Sequence, residues 1–450
     1  MSKRTDRRSF IKTGAAVGAG FWAAGGVAPR ESRAANEEIR FACIGIGGKG
    51  ESDSTDASRA GKVVAMCDID DARLDKKAQR LTDAKRYNDF RKMLEEMEGS
   101  IDAVTVSTPD HTHAVAAAMA MQMGKHAFCQ KPLTRTIWEA RRLGEIAREK
   151  NVVTQMGNQG TAESGVRQAA AMLKGGAVGD IKEVHVWTNR PVWPQGIGQP
   201  EGQEAPEGIH WEEWIGPAEM RPYSPAYHPF KWRGFWDFGT GALGDMACHT
   251  MNMAYMGCDL LNPTSVQAIT SGHNKISFPA WSEIVFEFPA NDWRGPVKVV
   301  WYDGGKLPSA EALEGRSKNP DGSEKKLSNS GSLIIGSEGK LFSPNDYGAE
   351  FELIGGKKVD ADYTRSPGHF REFARAIQQG EQAVSNFPDY AGPLTETILL
   401  GNLAVWAADQ SEQMGEKINW DAKNLEVKGT DEYDFMVKPK LHNGYDSILS

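Results

Sequence analysis

The chain has 450 residues, enough for two or three domains at about 100 to 200 residues each. Its 52 basic and 60 acidic residues give a net charge of −8, with 25% charged and 40% hydrophobic residues, which excludes a basic nucleic-acid binder and an acidic disordered chain. Mean hydropathy of −0.49 without any run of about 18 apolar residues excludes a multispanning membrane protein, and five scattered cysteines (Cys43, Cys67, Cys129, Cys248, Cys258) with no CxxC pair exclude a disulfide framework or zinc knuckle.

At the start of the chain, residues 6–12 read Asp-Arg-Arg-Ser-Phe-Ile-Lys. A Gly- and Ala-rich stretch runs from Thr13 to Ala28, and Ser32, Arg33 and Ala34 place small residues where a signal peptidase reads. The order resembles a twin-arginine export signal over residues 1–34, with an uncleaved anchor as the alternative. This segment holds seven basic and two acidic residues, so the remainder would carry −13. Twin-arginine export carries folded proteins, and the expected location is periplasmic or otherwise exported. Folding in a reducing cytoplasm would also need no disulfides.

Residues 39–46 form an apolar run suited to a buried strand, followed at once by Gly45-Ile46-Gly47-Gly48-Lys49-Gly50. In this G-x-G-x-x-G, Gly45 allows the tight turn, Gly47 lets the main chain approach a pyrophosphate and Gly50 permits close helix contact. A second strand, Lys62–Cys67, ends in Asp68, 18 residues past Gly50. An acid there accepts hydrogen bonds from a ribose and repels a 2′-phosphate, which favours NAD over NADP. Residues 51–59 are polar with little helical period, so the helix after the glycine loop is expected to be short or irregular.

Helices are expected over 71–82, 88–97, 114–123 and 137–150, alternating with strands at 101–107, 126–129 and 152–156. That alternation gives an α/β Rossmann domain, a doubly wound parallel sheet, over residues 35–160. Ser107, Thr108, Pro109, His111, His113, Gln130, Lys131, Asn158 and Gln159 fall after strand ends, where such sheets bind ligands. For the two histidines a plain helix-start role is the alternative.

Six of the 13 tryptophans (Trp187, Trp193, Trp211, Trp214, Trp232, Trp236) lie within residues 187–236. They suit either a wall for the apolar faces of sugar rings or an insertion with its own small core. On the first reading Trp193 and Trp236 contact substrate, and Arg190 and Lys231 reach hydroxyls or a carboxylate, as an acidic sugar would need. Asp245 and His249 are four apart in a helical segment and so share a face. A metal pair or a surface pair would have the same spacing, but no further ligand cluster is apparent and no metal is expected. Strands follow at Ser265–Thr270, 283–288, 297–302, 332–335 and 351–354, with a polar loop over 304–330 expected to be flexible and helices over 369–379 and 393–410. Nothing is read from the tail beyond Trp420.

Taken together, Gly45 to Gly50, Ser107-Thr108-Pro109 with His111 and His113, Lys131-Pro132 after a strand, and Gly244-Asp245 with His249 resemble the Gfo/Idh/MocA family of NAD(P)-dependent sugar and cyclitol oxidoreductases. The resemblance implies a second, α+β domain with an open, mostly antiparallel sheet over 161–450, carrying the insertion 187–236. It also implies dimers or tetramers built through that sheet. Lys131, Asp245 and His249 become the catalytic residues, His249 moving the proton and Asp245 orienting it or binding a sugar hydroxyl. Gly45, Ile46, Gly47, Gly50, Asp68, Ser107, Thr108, Pro109, His111, His113, Gln130, Lys131 and Gln159 become the cofactor set. In this family Glu usually precedes the Lys-Pro pair, so Gln130 is a departure that keeps a hydrogen-bonding side chain but removes a charge beside the lysine, which puts transfer of the Glu role in doubt. The expected activity is hydride transfer between bound NAD and a sugar or polyol. Alternatives are a glycosidase working by transient oxidation and elimination, and a sugar-binding protein without catalysis. The expected partners are a carbohydrate substrate and the export machinery, with no nucleic acid.

Overall fold

The computed structural model describes residues 38–323 and 325–450, so the export-signal reading of residues 1–34 lies outside the described residues. Apolar runs flanked by glycine turns form β1 (Arg40–Ile44), β2 (Lys62–Cys67), β4 (Ala103–Val106), β5 (His126–Cys129) and β6 (Thr154–Met156). A short β3 (Lys85–Tyr87), which has no apolar run to signal it, completes a six-stranded sheet in the order β3-β2-β1-β4-β5-β6. All five pairings are parallel, as a doubly wound Rossmann sheet requires. Ile44 lies beside both Cys67 and Val106, Val106 beside Cys129, and Cys129 beside Met156. The strands therefore end level, and the next residues, Gly45, Asp68, Ser107, Gln130 and Gly157, form one row along the sheet's carboxyl edge.

The helices on this sheet are α1 (Lys49–Ala60), α2 (Asp71–Ala78), α3 (Phe90–Glu96), α4 (Asp110–Gln122) and α5 (Ile137–Glu149). Contrary to expectation, α1 is regular over 12 residues. Its buried face is Gly50, Asp53, Ser54 and Ala57, small and polar residues that give a hydrophobicity pattern nothing to register. α5 starts at Thr136, whose main-chain N–H donates to Glu139 Oε2 at 3.0 Å.

After α6 (Ser164–Lys174) the chain enters a nine-stranded sheet built from β7 (Ile181–Trp187), β8 (Ser265–Thr270), β9 (Ser282–Phe288), β10 (Val297–Tyr302), β11 (Gly331–Gly336), β12 (Gly339–Pro344), β13 (Glu352–Gly355), β14 (Ile418–Asp421) and β15 (Glu426–Val427). Its order is β13-β12-β11-β7-β10-β9-β8-β14-β15, and only the β7–β10 pair is parallel. The other helices are α7 (Trp211–Ile215), α8 (Gly241–Thr250), α9 (Asn252–Cys258), α10 (His369–Gln379), α11 (Gly392–Trp406) and α12 (Asp434–Val437). The expected fold class, a Rossmann domain plus an α+β domain, is the one observed. All five cysteines are free and buried. Among the described residues no helix is long and apolar enough to cross a membrane.

Residues 38–450 cluster as one unit, with side-chain contacts that cross residue 160. Phe370 and Phe373 of α10 join Phe41 and Phe128 in a core against the Rossmann sheet, and the buried Arg167–Glu372 pair, at 2.7 Å, ties α10 to α6. Two points of the 304–330 segment are tied to the sheet. Leu313 packs with Trp187, Tyr302, Leu333 and Phe342 on the sheet, and Trp187 Nε1 donates to the Ser328 carbonyl at 2.9 Å.

Three of the six tryptophans hold the insertion together. Trp214, Tyr227, Trp232, Phe235 and Phe238 form a core of their own, with Trp211 stacked on Trp214 at 4.5 Å. Trp236, expected at the substrate, lies instead in the core: it stacks on Phe278 at 3.6 Å and donates Nε1 to the Ser277 carbonyl. Replacing Trp236 with Ala is therefore expected to cost about 3–5 kcal/mol of stability, seen as a lower Tm, with no change in substrate KM; a raised KM at unchanged Tm would contradict this placement.

Candidate functional site

A cavity of about 420 Å³ runs along the carboxyl edge of the Rossmann sheet, where that edge meets α8 and the insertion. Gly45, Gly47, Asp68, Ser107, Thr108, Pro109, His113, Gln130, Lys131 and Gln159 line it. So do Asp245, His249, Arg190 and Trp193.

The glycine end is shaped for a dinucleotide. Gly45 has φ +76°, and a Cβ there would sit 2.6 Å from the Ser107 carbonyl oxygen. A Cβ on Gly50 would approach the Gly45 carbonyl oxygen to 2.1 Å. Gly50 thus acts by close contact without lining the cavity. Ile46, likewise, points its side chain into the core and contributes its main-chain N–H, which donates to Asp68 Oδ2 at 2.9 Å. Gly47 N–H donates to the same oxygen at 3.2 Å. Burial raises Asp68 above the usual aspartate value, against these N–H donors and the Arg73 guanidinium 4.0 Å away. The loop, the amino end of the 12-residue α1 behind it and Asp68 beside it fit the pyrophosphate and ribose of NAD.

Behind the glycine loop the missing acid at position 130 is replaced from α1. Asp53, 1% exposed, pairs with Lys49 and accepts from Ser107 Oγ at 2.7 Å and Gln130 Nε2 at 2.8 Å. Gly157 leaves the room that the Gln130 amide fills. A Glu at 130 would face Asp53 at hydrogen-bond distance, so the neutral amide matches its neighbour. The chain thus places a carboxylate here from a different element.

At the other end, the turn after β5 brings Lys131 to α8 across a cis Lys131–Pro132 bond. Its Nζ donates to Asp245 Oδ1 at 2.8 Å and to the Asp245 carbonyl at 2.7 Å. Asp245 also faces Arg233 Nε at 3.3 Å and Arg190 Nε at 3.7 Å. Burial alone would raise Asp245, but Lys131 and Arg233 outweigh it and hold the carboxyl at about 2. Asp245 is thus bonded to Lys131, a partner not foreseen when it was expected to orient His249 or bind a sugar hydroxyl. His249 shares its helix face as the spacing required, is 4% exposed, and has Nδ1 without a hydrogen-bond partner among the described residues. Burial, with Lys131 nearby, lowers it well below the ordinary histidine value of 6.5.

Two expected contacts are corrected. His111 turns both ring nitrogens to main-chain carbonyls, of Trp214 at 2.9 Å and Phe238 at 3.3 Å, and so fastens the insertion to α4 away from the cavity. Lys231 is exposed, and the cation that reaches the cavity two residues later is Arg233. His113, though at the cavity wall, has both ring nitrogens facing the Pro132 and Thr108 carbonyls, at 2.8 and 2.9 Å, and supports the Lys131 turn. The sequence reading missed Arg233, Asp53, Tyr347, whose ring meets His249 edge-on at 4.9 Å, and Tyr445, which lines the cavity beneath Arg91. For the two tyrosines no local pattern marks them. Among the described residues there is no group of three or more His, Cys, Asp or Glu placed to hold a metal.

Comparison with known proteins agrees with this geometry. Residues 39–158 match the model of the oxidoreductase family's NAD-binding Rossmann fold, and residues 177–305 match that of the family's C-terminal alpha/beta domain. The chain belongs to the Gfo/Idh/MocA oxidoreductase family. It is 28% identical over 178 residues to levoglucosan dehydrogenase of Pseudarthrobacter phenanthrenivorans, covering 39% of this chain and 37% of that one. It is 32% identical over 130 residues to inositol 2-dehydrogenase of Salmonella typhimurium, covering 28% and 37%. The chain thus spans little more than a third of the length of these two relatives. Among solved structures, an inositol dehydrogenase homologue from Azotobacter vinelandii with NADH and myo-inositol aligns at TM-score 0.57 and 19% identity, over 86% of this chain and 98% of that one. The WlbA dehydrogenase of Bordetella pertussis with NADH and UDP-GlcNAcA aligns at TM-score 0.58 and 15% identity, over 84% and 98%. At these identities the structures speak to the fold alone.

The Asp53–Gln130 contact has a direct test. Gln130→Glu is expected to weaken NAD binding about tenfold or more by setting two carboxylates together, and Asp53→Asn in the same chain is expected to restore it. Titration of NAD by calorimetry across the two single variants and the double variant reads the coupling, and additive losses would dismiss it.

Proposed function

We propose that this protein is an NAD-dependent dehydrogenase that oxidises a secondary hydroxyl of a sugar or sugar-like polyol, and that it is exported by the twin-arginine route. The observation that carries the chemistry is one cavity holding the glycine cradle at one end and Lys131, Asp245 and His249 at the other. Bound NAD supplies the hydride acceptor for the substrate carbon.

The residues of the chain manage the proton. Oxidation of a secondary alcohol gives a ketone, reduced NAD and one proton, which leaves the hydroxyl oxygen. His249, kept neutral by burial, is the group able to take it. Lys131, held in place by two hydrogen bonds to Asp245, presents its remaining donor to the same oxygen and stabilises the alkoxide as it forms. Trp193, at the cavity wall with its Nε1 tied to Gln195 Oε1 at 3.0 Å, offers a fixed apolar face to the ring. The export half rests on the arginine pair Arg7-Arg8, the apolar stretch and the small residues at 32–34.

His249→Asn and Lys131→Met are each expected to lower kcat about 10² to 10⁴-fold while NAD still binds; turnover intact in both would refute the assignment. Because only neutral His249 accepts the proton, and burial holds it well below the ordinary histidine value of 6.5, kcat for oxidation should show no limb at that ordinary value and fall only in more acid solution. An acid limb centred at an ordinary histidine value would assign the base elsewhere. Arg7→Lys with Arg8→Lys is expected to leave the protein in the cytoplasmic fraction of a host with twin-arginine export; unchanged secretion would overturn that half alone.

A further inference from the structure

We infer that the substrate is a sugar acid, and that Arg190 and Arg233 bind its carboxylate beside Asp245; this rests on reading the cavity as a dehydrogenase site. Three cations surround Asp245: Lys131 Nζ at 2.8 Å, Arg233 Nε at 3.3 Å and Arg190 Nε at 3.7 Å. The carboxylate balances one of them. The other acids nearby are already committed. Asp53 pairs with Lys49, and Asp110, whose Oδ2 accepts from Thr240 Oγ1 at 2.6 Å, is pushed up to about 7 by burial and carries only part of a charge at neutral pH. His249 is neutral. This end of the cavity therefore holds between one and two uncompensated positive charges.

The guanidiniums are also poorly placed to relieve that charge in water. The Arg233 side chain is 24% exposed and its guanidinium carbon lies 4.2 Å from the Trp232 ring centroid and 4.9 Å from that of Phe230. The Arg190 side chain is 23% exposed. Arg190 Nη1 donates to Asn189 Oδ1 and Arg233 Nη1 to the Phe230 carbonyl. Among the described residues Nη2 of each has no partner. Two planar donors left open at a partly buried, positively charged wall match a carboxylate better than a hydroxyl, which carries no charge to cancel. A phosphate dianion would bring two negative charges up to Asp245, so the single charge of a carboxylate fits the excess more closely.

The test uses the purified protein loaded with NAD and a panel of glucose and myo-inositol, gluconate and glucuronate, and glucose 6-phosphate. Turnover is read as NADH absorbance, and binding separately as a change in bound NADH fluorescence. The sugar acids are expected to exceed the neutral compounds about 100-fold in kcat/KM or in affinity. Arg233→Met and Arg190→Gln are each expected to bring that ratio towards one, chiefly through KM, with NAD affinity unchanged, and Arg233→Lys to restore part of it. Preference for the neutral compounds, or for the phosphate, overturns the sugar-acid assignment while leaving the dehydrogenase reading intact. Equal or absent response to every compound, with NAD bound, likewise overturns it. Failure to bind NAD at all brings down the dehydrogenase reading and this inference with it.

Discussion

Lys131 and Asp245 come from different halves of the fold and meet at the cavity wall. Lys131 follows a strand of the parallel sheet, and Asp245 sits one turn into α8 of the second half. At 2.8 Å, with side chains 16% and 12% exposed, the pair is shielded, and losing Asp245 would leave Lys131, Arg233 and Arg190 facing one another with no counter-charge. The sign of its pH dependence follows from the depressed Asp245. Its contribution is present above the ordinary aspartate value of 3.8 and is lost as pH falls through about 2. Across neutral pH, therefore, the two halves stay joined at the point where the chemistry is proposed.

Three aspartates at this edge show how neighbours divide one side-chain type among different tasks. Asp68 is held by main-chain N–H groups and shapes the glycine loop. Asp53 is held by Lys49, Ser107 and Gln130 and fixes the floor beneath that loop. Asp245 is held by cations and positions Lys131. Burial raises the first and, against an excess of positive charge, fails to raise the last. The departure at Gln130 makes sense in this setting, since the acid it lacks stands 2.8 Å away on α1.

Legibility followed physical locality. The glycine loop, Asp68 and the Lys131 turn were readable because each directly follows an apolar strand, and strand ends fall level by register. Asp245 and His249 were readable because four residues is one helical turn. α1 was misread because its buried face is polar and small, so its contacts are hydrogen bonds rather than apolar area. Tyr347 and Tyr445 reach the cavity from a loop after β12 and from the chain's end, and no local spacing encodes a meeting that tertiary structure alone creates.

The tryptophan-rich insertion illustrates the same limit, because composition alone leaves two uses of the indoles open. Six indoles within 50 residues suit either a sugar wall or a small core, and three of them, Trp211, Trp214 and Trp232, serve as the insertion's own core, because a segment with little regular structure must bury apolar area to hold a shape. Trp193, Trp214 and Trp232 reach the cavity, but the last two do so from that core. What the core delivers to the cavity is Arg233, its guanidinium set over Trp232 and Phe230 with Nε directed at Asp245. Aromatic rings favour a cation over their faces while excluding water from it. The rings thus act through the arginine they position, which explains how a segment dense in apolar side chains ends by making this part of the cavity positive.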